Sequence, residues 1–156
     1  MKNYPSELVK PTLGALLPAA FLRGLEFDND DERQYVTQVA KQASSRKTQI
    51  YQLCDHDSIR YGFVALSIAT LNKQPCIVID YLFTSKSYRK QIFPGLGNVK
   101  ISEFLVDFAV KVAQEIDERV PIHYISLMPA HDRLIKFYAK WDFKPLDKTG
   151  WFFVRI

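Results

Sequence analysis

The clearest periodicity in the chain runs through Ile101, Phe104, Leu105, Phe108, Ala109, Val112, Ala113 and Ile116, apolar positions that recur every three or four residues. At about 3.6 residues per turn that spacing gathers them on one stripe, predicting an amphipathic helix that Pro121 ends. An earlier stripe, Tyr35, Val36, Val39, Ala40 and Ala43, follows Asn29 and Glu32, a side-chain acceptor three residues before a glutamate. This is the spacing of a capping box, and it predicts a helix from Asp30 to Ser44. Between the two stripes the pattern changes. Thr48 to Leu53 and Arg60 to Leu71 are rich in β-branched and aromatic residues, and Asp55, His56, Asp57 and Ser58 supply turn chemistry between them, so a β-hairpin is expected. Cys76 to Thr84 is almost unbroken apolar sequence, the pattern of a strand covered on both faces and central in its sheet.

Beyond Pro121, Ile122 to Leu127 predicts a short strand, Asp132 to Trp141 a helix with Leu134, Tyr138 and Trp141 on one face, and Trp151 to Ile156 a last strand. Within Met1 to Phe27, Pro5, Pro11, Pro18 and Gly24 break the apolar stretches into pieces that read either as a turn of helix or as a loop laid on the core. A hairpin early and a strand-helix-strand crossover later predict an α/β (α+β) class, with a mixed, mainly antiparallel central sheet flanked by helices. No repeat or linker divides the sequence, so one domain over residues 1–156 is expected.

Composition narrows the function classes. With 47% apolar and 24% charged residues, disordered and fibrous folds are excluded. The charge of 21 − 17 = +4 suits an anionic ligand or nucleic acid without requiring either. Cys54 and Cys76 form no CxxC pair, so neither a zinc site nor a disulfide framework follows, and a reducing compartment is expected. The stretch Leu13 to Leu22 is interrupted by Gly14 and Pro18 and falls short of the roughly 20 residues that span a bilayer. Glu7 and Lys10 precede it and no small-x-small cleavage site closes it, so a soluble cytoplasmic protein with no membrane partner is expected. His56 between Asp55 and Asp57 reads as a solvated turn in preference to a metal site, because adjacent ligands on a turn seldom converge. His123 reads as an edge or core histidine, and Trp141 and Trp151 as core.

The segment Ser85 to Asn98 joins the central strand to the clearest helix, carries Gly95 and Gly97, and is ringed by Lys86, Arg89, Lys90 and Lys100. A strand, a glycine-bearing loop and a helix start make an anion trap, because the first helical N–H groups lack partners and the dipole favours negative charge. The plainer reading is a solvated loop whose glycines make a turn.

Strand 77 to 84, this loop and the following helix resemble the acetyl-CoA-binding segment of the GNAT superfamily of N-acetyltransferases. Met128 to Leu146 resembles the superfamily's later motif, an Asn opening a helix, a Tyr seven residues on, then a Gly-Phe pair; here those positions are His131, Tyr138, Asp142 and Phe143. Phe27 to Gln42 with the strand around Tyr61, Gly62 and Phe63 is similar to compact bacterial members, including acetyltransferase toxins. The family's pyrophosphate loop reads Arg/Gln-x-x-Gly-x-Gly/Ala. Aligning Gly95 and Gly97 with it puts Ile92 in the Arg/Gln place; the alternative register puts Lys100 and Ser102 in the glycine places, and the first is preferred because the helical stripe already begins at Ile101.

The resemblance implies a GNAT-like acyl-CoA N-acyltransferase fold and transfer of an acetyl group from acetyl-CoA to an amine. It implies that backbone groups near Leu82, Phe83 and Thr84 hold the pantetheine and the thioester carbonyl, with Arg89, Lys90, Gly95, Gly97, Asn98, Lys100, Ser102 and His131 around the cofactor. Tyr138 stands where the family places its general acid, and its other reading is a core tyrosine on the face of Leu134 and Trp141. Asp80, the acidic residue of the central strand, is the candidate base if burial raises its pKa; otherwise it is a carboxylate at the sheet edge or paired with a basic neighbour. A lysine-type amine, with pKa about 10.4, is neutral about once in a thousand at pH 7, whereas an α-amine near 8 is neutral roughly a tenth of the time. Only the first needs a strong base. The acceptor classes are therefore a small-molecule or peptide amine, or the α-amine of an aminoacyl-tRNA as in the toxins; a homodimer is also open to the chain, and no metal is expected. A non-catalytic acyl-CoA-binding or protein-interaction domain is the rival reading, with Ile92, Phe93 and Pro94 offering a partner surface.

Overall fold

The computed structural model describes Pro5, Glu7–Val9 and residues 18–156; the apolar stretch that begins at Leu13 lies outside the described residues as far as Pro18. The elements in chain order are β1 (Glu7–Val9), α1 (Pro18–Leu22), α2 (Asp30–Ser44), β2 (Gln49–Cys54), β3 (Arg60–Leu71), β4 (Gln74–Thr84), β5 (Ile92–Phe93), β6 (Val99–Lys100), α3 (Ile101–Asp117), β7 (Tyr124–Leu127), α4 (Leu134–Ala139), β8 (Lys144–Pro145) and β9 (Phe152–Arg155). Seven strands hydrogen-bond in the order β1-β2-β3-β4-β7-β9-β8, and β5 and β6 form a separate hairpin. β4 and β7 run parallel from Cys76↔Tyr124 to Ile79↔Leu127, while β1–β2, β7–β9 and β8–β9 are antiparallel, giving the mixed sheet expected.

The chain forms two compact units, one from the described residues of Met1–Ala65 with Tyr81–Phe108, the other from Leu66–Asp80 with Ala109–Ile156. In the first, Asn29 caps α2: its side chain accepts the Glu32 N–H at 2.9 Å, and the Glu32 carboxylate returns to the Asp28 N–H at 2.9 Å. Alternation along the strands sends Ile50, Phe63, Ala65 and Phe83 to one face, where they pack with Phe21, Leu22 and Leu25 and with Val36, Val39 and Ala40 of α2. Tyr51 and Gly62 point the other way, Tyr51 against Phe108 of α3 with ring centroids 5.0 Å apart and Gly62 towards Ile101. This unit therefore has three layers, and its core carries a chain of aromatic contacts, Phe21 edge-on to Phe63 and then tilted pairs from Phe63 to Phe83 and Phe83 to Phe27.

In the second unit, Ser126 of β7 is fully buried and lies 3.3 Å from the Cys76 thiol, which also reaches the Ala69 carbonyl. Tyr124 and Phe153, opposite strand neighbours offset by the register, meet edge to face at 5.4 Å. α4 is shorter than the Asp132 to Trp141 expected, because both its ends close in tight three-residue turns. Leu134 and Ile135 donate to His131 and Asp132, and Trp141 and Asp142 donate to Tyr138 and Ala139.

α2, β3 and α3 follow their expected bounds closely. The β1 strand, the β5–β6 hairpin and the two-residue β8 carry no periodicity that a sequence reading could use. The expectation of a solvated turn at Asp55 to Ser58 is corrected in part: Asp55 is 4% exposed, and its carboxylate accepts the N–H groups of Asp57 and Ile59 and the Tyr61 hydroxyl. His56 and Asp57 are exposed, and no metal-ligating group of three occurs among the described residues. Both cysteines are buried, and neither is in a disulfide. His123 lies exposed just before β7, and Trp141 and Trp151 are half-buried. No helix among the described residues is long and apolar enough to cross a membrane.

Candidate active site

In the first unit the candidate residues gather at the end of β4. The Phe83 carbonyl oxygen lies so close to Gly62 that a Cβ there would sit 2.4 Å from it, and the Ser85 N–H donates to the Tyr61 carbonyl at 2.8 Å, so the polar groups of residues 83 and 85 face β3. By strand alternation those of Leu82 and Thr84 face the opposite side, and the β4–β7 ladder has already ended at Ile79↔Leu127. The backbone of Leu82 and Thr84 thus lies past the last rung of that ladder. Leu82 and Thr84 are half-buried, and the Phe83 side chain is buried in the core, so Phe83 can offer a ligand only its backbone.

Past Thr84 the chain is bound to the segment that leads into α2. Ser85 is fully buried, and its hydroxyl accepts the Glu26 N–H at 2.8 Å. The Lys86 N–H donates to the Glu26 carbonyl at 3.0 Å, the Ser87 hydroxyl donates to the Glu26 carboxylate at 2.5 Å, and the Lys86 ammonium lies 3.8 Å from Asp28. Arg89 donates through Nε to the Thr84 carbonyl at 2.8 Å and through Nη2 to Glu32 at 2.5 Å, with its guanidinium 5.6 Å from the centre of the Phe83 ring. None of these partners was legible from spacing alone. The capping box marked Glu32 as a helix-start residue, but nothing in the sequence marks its second use by Arg89.

The glycines lie elsewhere. Pro94–Leu96 form a 3₁₀ turn at the tip of the β5–β6 hairpin; Gly97 (φ 88°) and Asn98 (φ 61°) follow in left-handed conformation, and Gly95, Gly97 and Asn98 are all exposed. The Ser85 to Asn98 loop is therefore not an open glycine loop running into a helix. Three residues separate Gly97 from the first residue of α3, Ile101, so the two glycines shape a hairpin turn, while the helix is formed at Ile101 as the stripe expected. At the start of α3 stand half-buried Lys100 and Ser102, and the Lys100 N–H is taken by the Glu103 carboxylate at 3.2 Å. Lys90 is exposed with φ 66°.

Burial shifts two phenols in this unit. Tyr81, stacked on Tyr35 at 6.4 Å, is pushed up to about 12 by desolvation, with the Glu32 carboxylate adding to it. Tyr61 is raised first by burial and then by its hydrogen bond to Asp55.

In the second unit Tyr138 is 5% exposed and packs against Phe137 at 5.0 Å and Phe143 at 5.8 Å. Asp142, which stands where the family motif has glycine, has φ 65°, the left-handed conformation glycine adopts without steric cost. His131 is exposed and contributes its carbonyl to the turn before α4. Asp80 is exposed, which corrects the burial on which the base assignment rested.

No protein-family model matches the sequence, and no curated protein does. The fold, in contrast, is shared with solved structures of acetyltransferase toxins. AtaTR bound with AcCoA superposes with a TM-score of 0.77 at 18% identity, covering 97% of this chain and 93% of that one. AtaT complexed with acetyl-methionyl-tRNAfMet gives a TM-score of 0.70 at 16% identity over 96% and 95% of the two chains. A tyrosine-to-phenylalanine mutant of KacT gives 0.72 at 14% identity over 97% and 95%. The chain has the GNAT fold, as the resemblance of its β4, loop and α4 segments implied.

Proposed function

We propose that this chain is an acetyl-CoA-dependent N-acetyltransferase whose acceptor is the α-amine of an aminoacyl-tRNA. The observation that carries the reading is the match of nearly the whole chain, 97% of it, to a toxin structure bound with AcCoA. The neighbour complexed with an acetylated methionyl-tRNA supports this acceptor, and the charge of +4 favours the same polyanion. An acceptor carried on tRNA puts the enzyme in the cytoplasm.

In this reading the backbone of Leu82 and Thr84, past the end of the β4–β7 ladder, receives the pantetheine and the thioester carbonyl. The Tyr138 hydroxyl protonates the departing thiolate of CoA, and its burial among Phe137 and Phe143 holds the ring in one orientation. An α-amine is neutral often enough near pH 7 that exposed Asp80 needs only to accept its proton late, through water. Lys100 and Ser102 at the start of α3, with Lys90, supply the charge and hydrogen bonds for the phosphates, while Gly95, Gly97 and Asn98 serve the hairpin beside them. His131 holds the entry to α4.

A thermal melt tests the cofactor first. A ligand at 100 times its Kd stabilises the native state by about 2.7 kcal/mol, which raises Tm by roughly 5–10 °C for a chain of this size. That rise is expected with acetyl-CoA and not with ATP. No rise at saturating acetyl-CoA refutes the reading and leaves a non-catalytic interaction domain. With binding in hand, acetylation of a pool of charged tRNA is measured; Tyr138→Phe is expected to lower turnover about 10²-fold while the melt shift persists, and Asp80→Asn to lower it less than tenfold. The same samples, run by sedimentation, report the homodimer.

A further inference from the structure

We infer that Arg89 is a positioning residue for the acetyl end of the cofactor and not a ligand of its pyrophosphate. A guanidinium that binds a phosphate presents two parallel N–H groups to the open side and brings an unneutralised charge. Arg89 does neither. Its Nε is committed to the Thr84 carbonyl at 2.8 Å, its Nη2 to the Glu32 carboxylate at 2.5 Å, and its planar head lies over the Phe83 ring. The two charged side chains are 30% and 21% exposed, so the pair is only partly screened by water.

Both targets are themselves fixed. Glu32 accepts the Asp28 N–H on the same carboxylate, and its own N–H is held by Asn29. Thr84 is the last residue of β4, between Phe83, whose carbonyl packs on Gly62, and Ser85, whose N–H is bonded to Tyr61 and whose hydroxyl holds Glu26. Arg89 thus sets the plane of the peptide that follows Thr84 and ties the strand end to the start of α2. This inference rests on the reading that Leu82 and Thr84 receive the pantetheine and thioester, since it is that edge of backbone that Arg89 orients. A lysine cannot replace it: it lacks the Nε donor and offers one point charge where a fork spans a carbonyl and a carboxylate.

The test compares two donors that share the acetyl-pantetheine arm, of which only acetyl-CoA carries the pyrophosphate with its 3′-phosphoadenosine. Dissociation constants for acetyl-CoA and for acetyl-pantetheine, titrated into the millimolar range, are measured by calorimetry for the wild type, Arg89→Lys, Glu32→Gln and the double variant, well below each Tm. The expected result is a rise of about tenfold for both donors, an unchanged ratio between them, and a double variant no worse than either single one. A loss confined to acetyl-CoA, with Glu32→Gln harmless, makes Arg89 a phosphate ligand and overturns the inference. Lower Tm values with both constants unchanged also overturn it, since that is the signature of a merely structural ion pair. A wild type that binds neither donor refutes the acetyltransferase reading itself and takes this inference with it.

Discussion

Replacing Gly62 by alanine tests whether the end of β4 is held by close backbone packing. The added Cβ would lie 2.4 Å from the Phe83 carbonyl oxygen, 3.2 Å from the Thr84 Cα and 3.3 Å from Ile101 Cγ2. The nearest atom belongs to backbone, and the helix side is closed by Ile101, which is 1% exposed, so nothing flexible can yield. Relief requires a backbone shift of about 1 Å, and overpacking of that kind costs about 1–3 kcal/mol. At about 2–4 °C per kcal/mol for a chain of this length, a cost near 2 kcal/mol lowers Tm by roughly 4–8 °C. Because the atoms displaced are those of Phe83 and Thr84, acetyl-CoA affinity is expected to fall about tenfold as well. Gly95→Ala is the matched control: among the described residues its Cβ would meet only the Pro5 carbonyl oxygen at 3.9 Å, so Tm stays within about 1 °C. Scanning calorimetry and titration of both variants read the outcome. Equal Tm values for the two, or a destabilised Gly62→Ala that binds acetyl-CoA with wild-type affinity, would refute the packing argument or its link to the site, respectively.

Other consequences follow from the buried phenols and the exit of α4. Tyr61 and Tyr81 both hold their protons more tightly folded than unfolded, so their contribution is fully present below about pH 10, the ordinary tyrosine value, and is lost as pH rises towards about 12. Denaturant midpoints measured from pH 8 to 11 should fall above pH 10, less steeply in Tyr81→Phe; a flat profile in the wild type contradicts the burial assigned to these groups. Tyr61→Phe removes a donor from the buried Asp55 carboxylate, whose other oxygen keeps its two N–H bonds, and should cost about 2 kcal/mol by urea unfolding at pH 7. Asp142→Gly relieves a left-handed residue and should raise Tm by about 2–4 °C, whereas Asp142→Val should lower it by more. The opposite order would mean that the Asp142 side chain, and not its backbone, holds the turn.

The sequence by itself determined the elements whose side chains repeat with a clear period. The stripe from Ile101 to Ile116 and the Asn29/Glu32 capping box specify α3 and α2 because each residue's burial follows from its own angle on the helix. The apolar run before Thr84 specifies a central strand for the same reason, and the Tyr138 and Asp142-Phe143 pattern survives in a buried tyrosine and a left-handed helix exit. Pairings between distant segments have no such local signature. Glycines at 95 and 97 spell a turn equally well at a hairpin tip and at a helix start, and only the β5–β6 register, Ile92↔Lys100 and Phe93↔Val99, decides between them. Apolar neighbours leave Asp80 open to a buried and to an edge reading, and only the structure, with the β4–β7 ladder ending at Ile79 and the next side chain exposed, decides between them. Arg89 reads as one of four cations around a loop until folding brings Glu32, 57 residues earlier, within 2.5 Å of it. A charge shows its sign in the sequence, whereas its partner is set by which backbones meet.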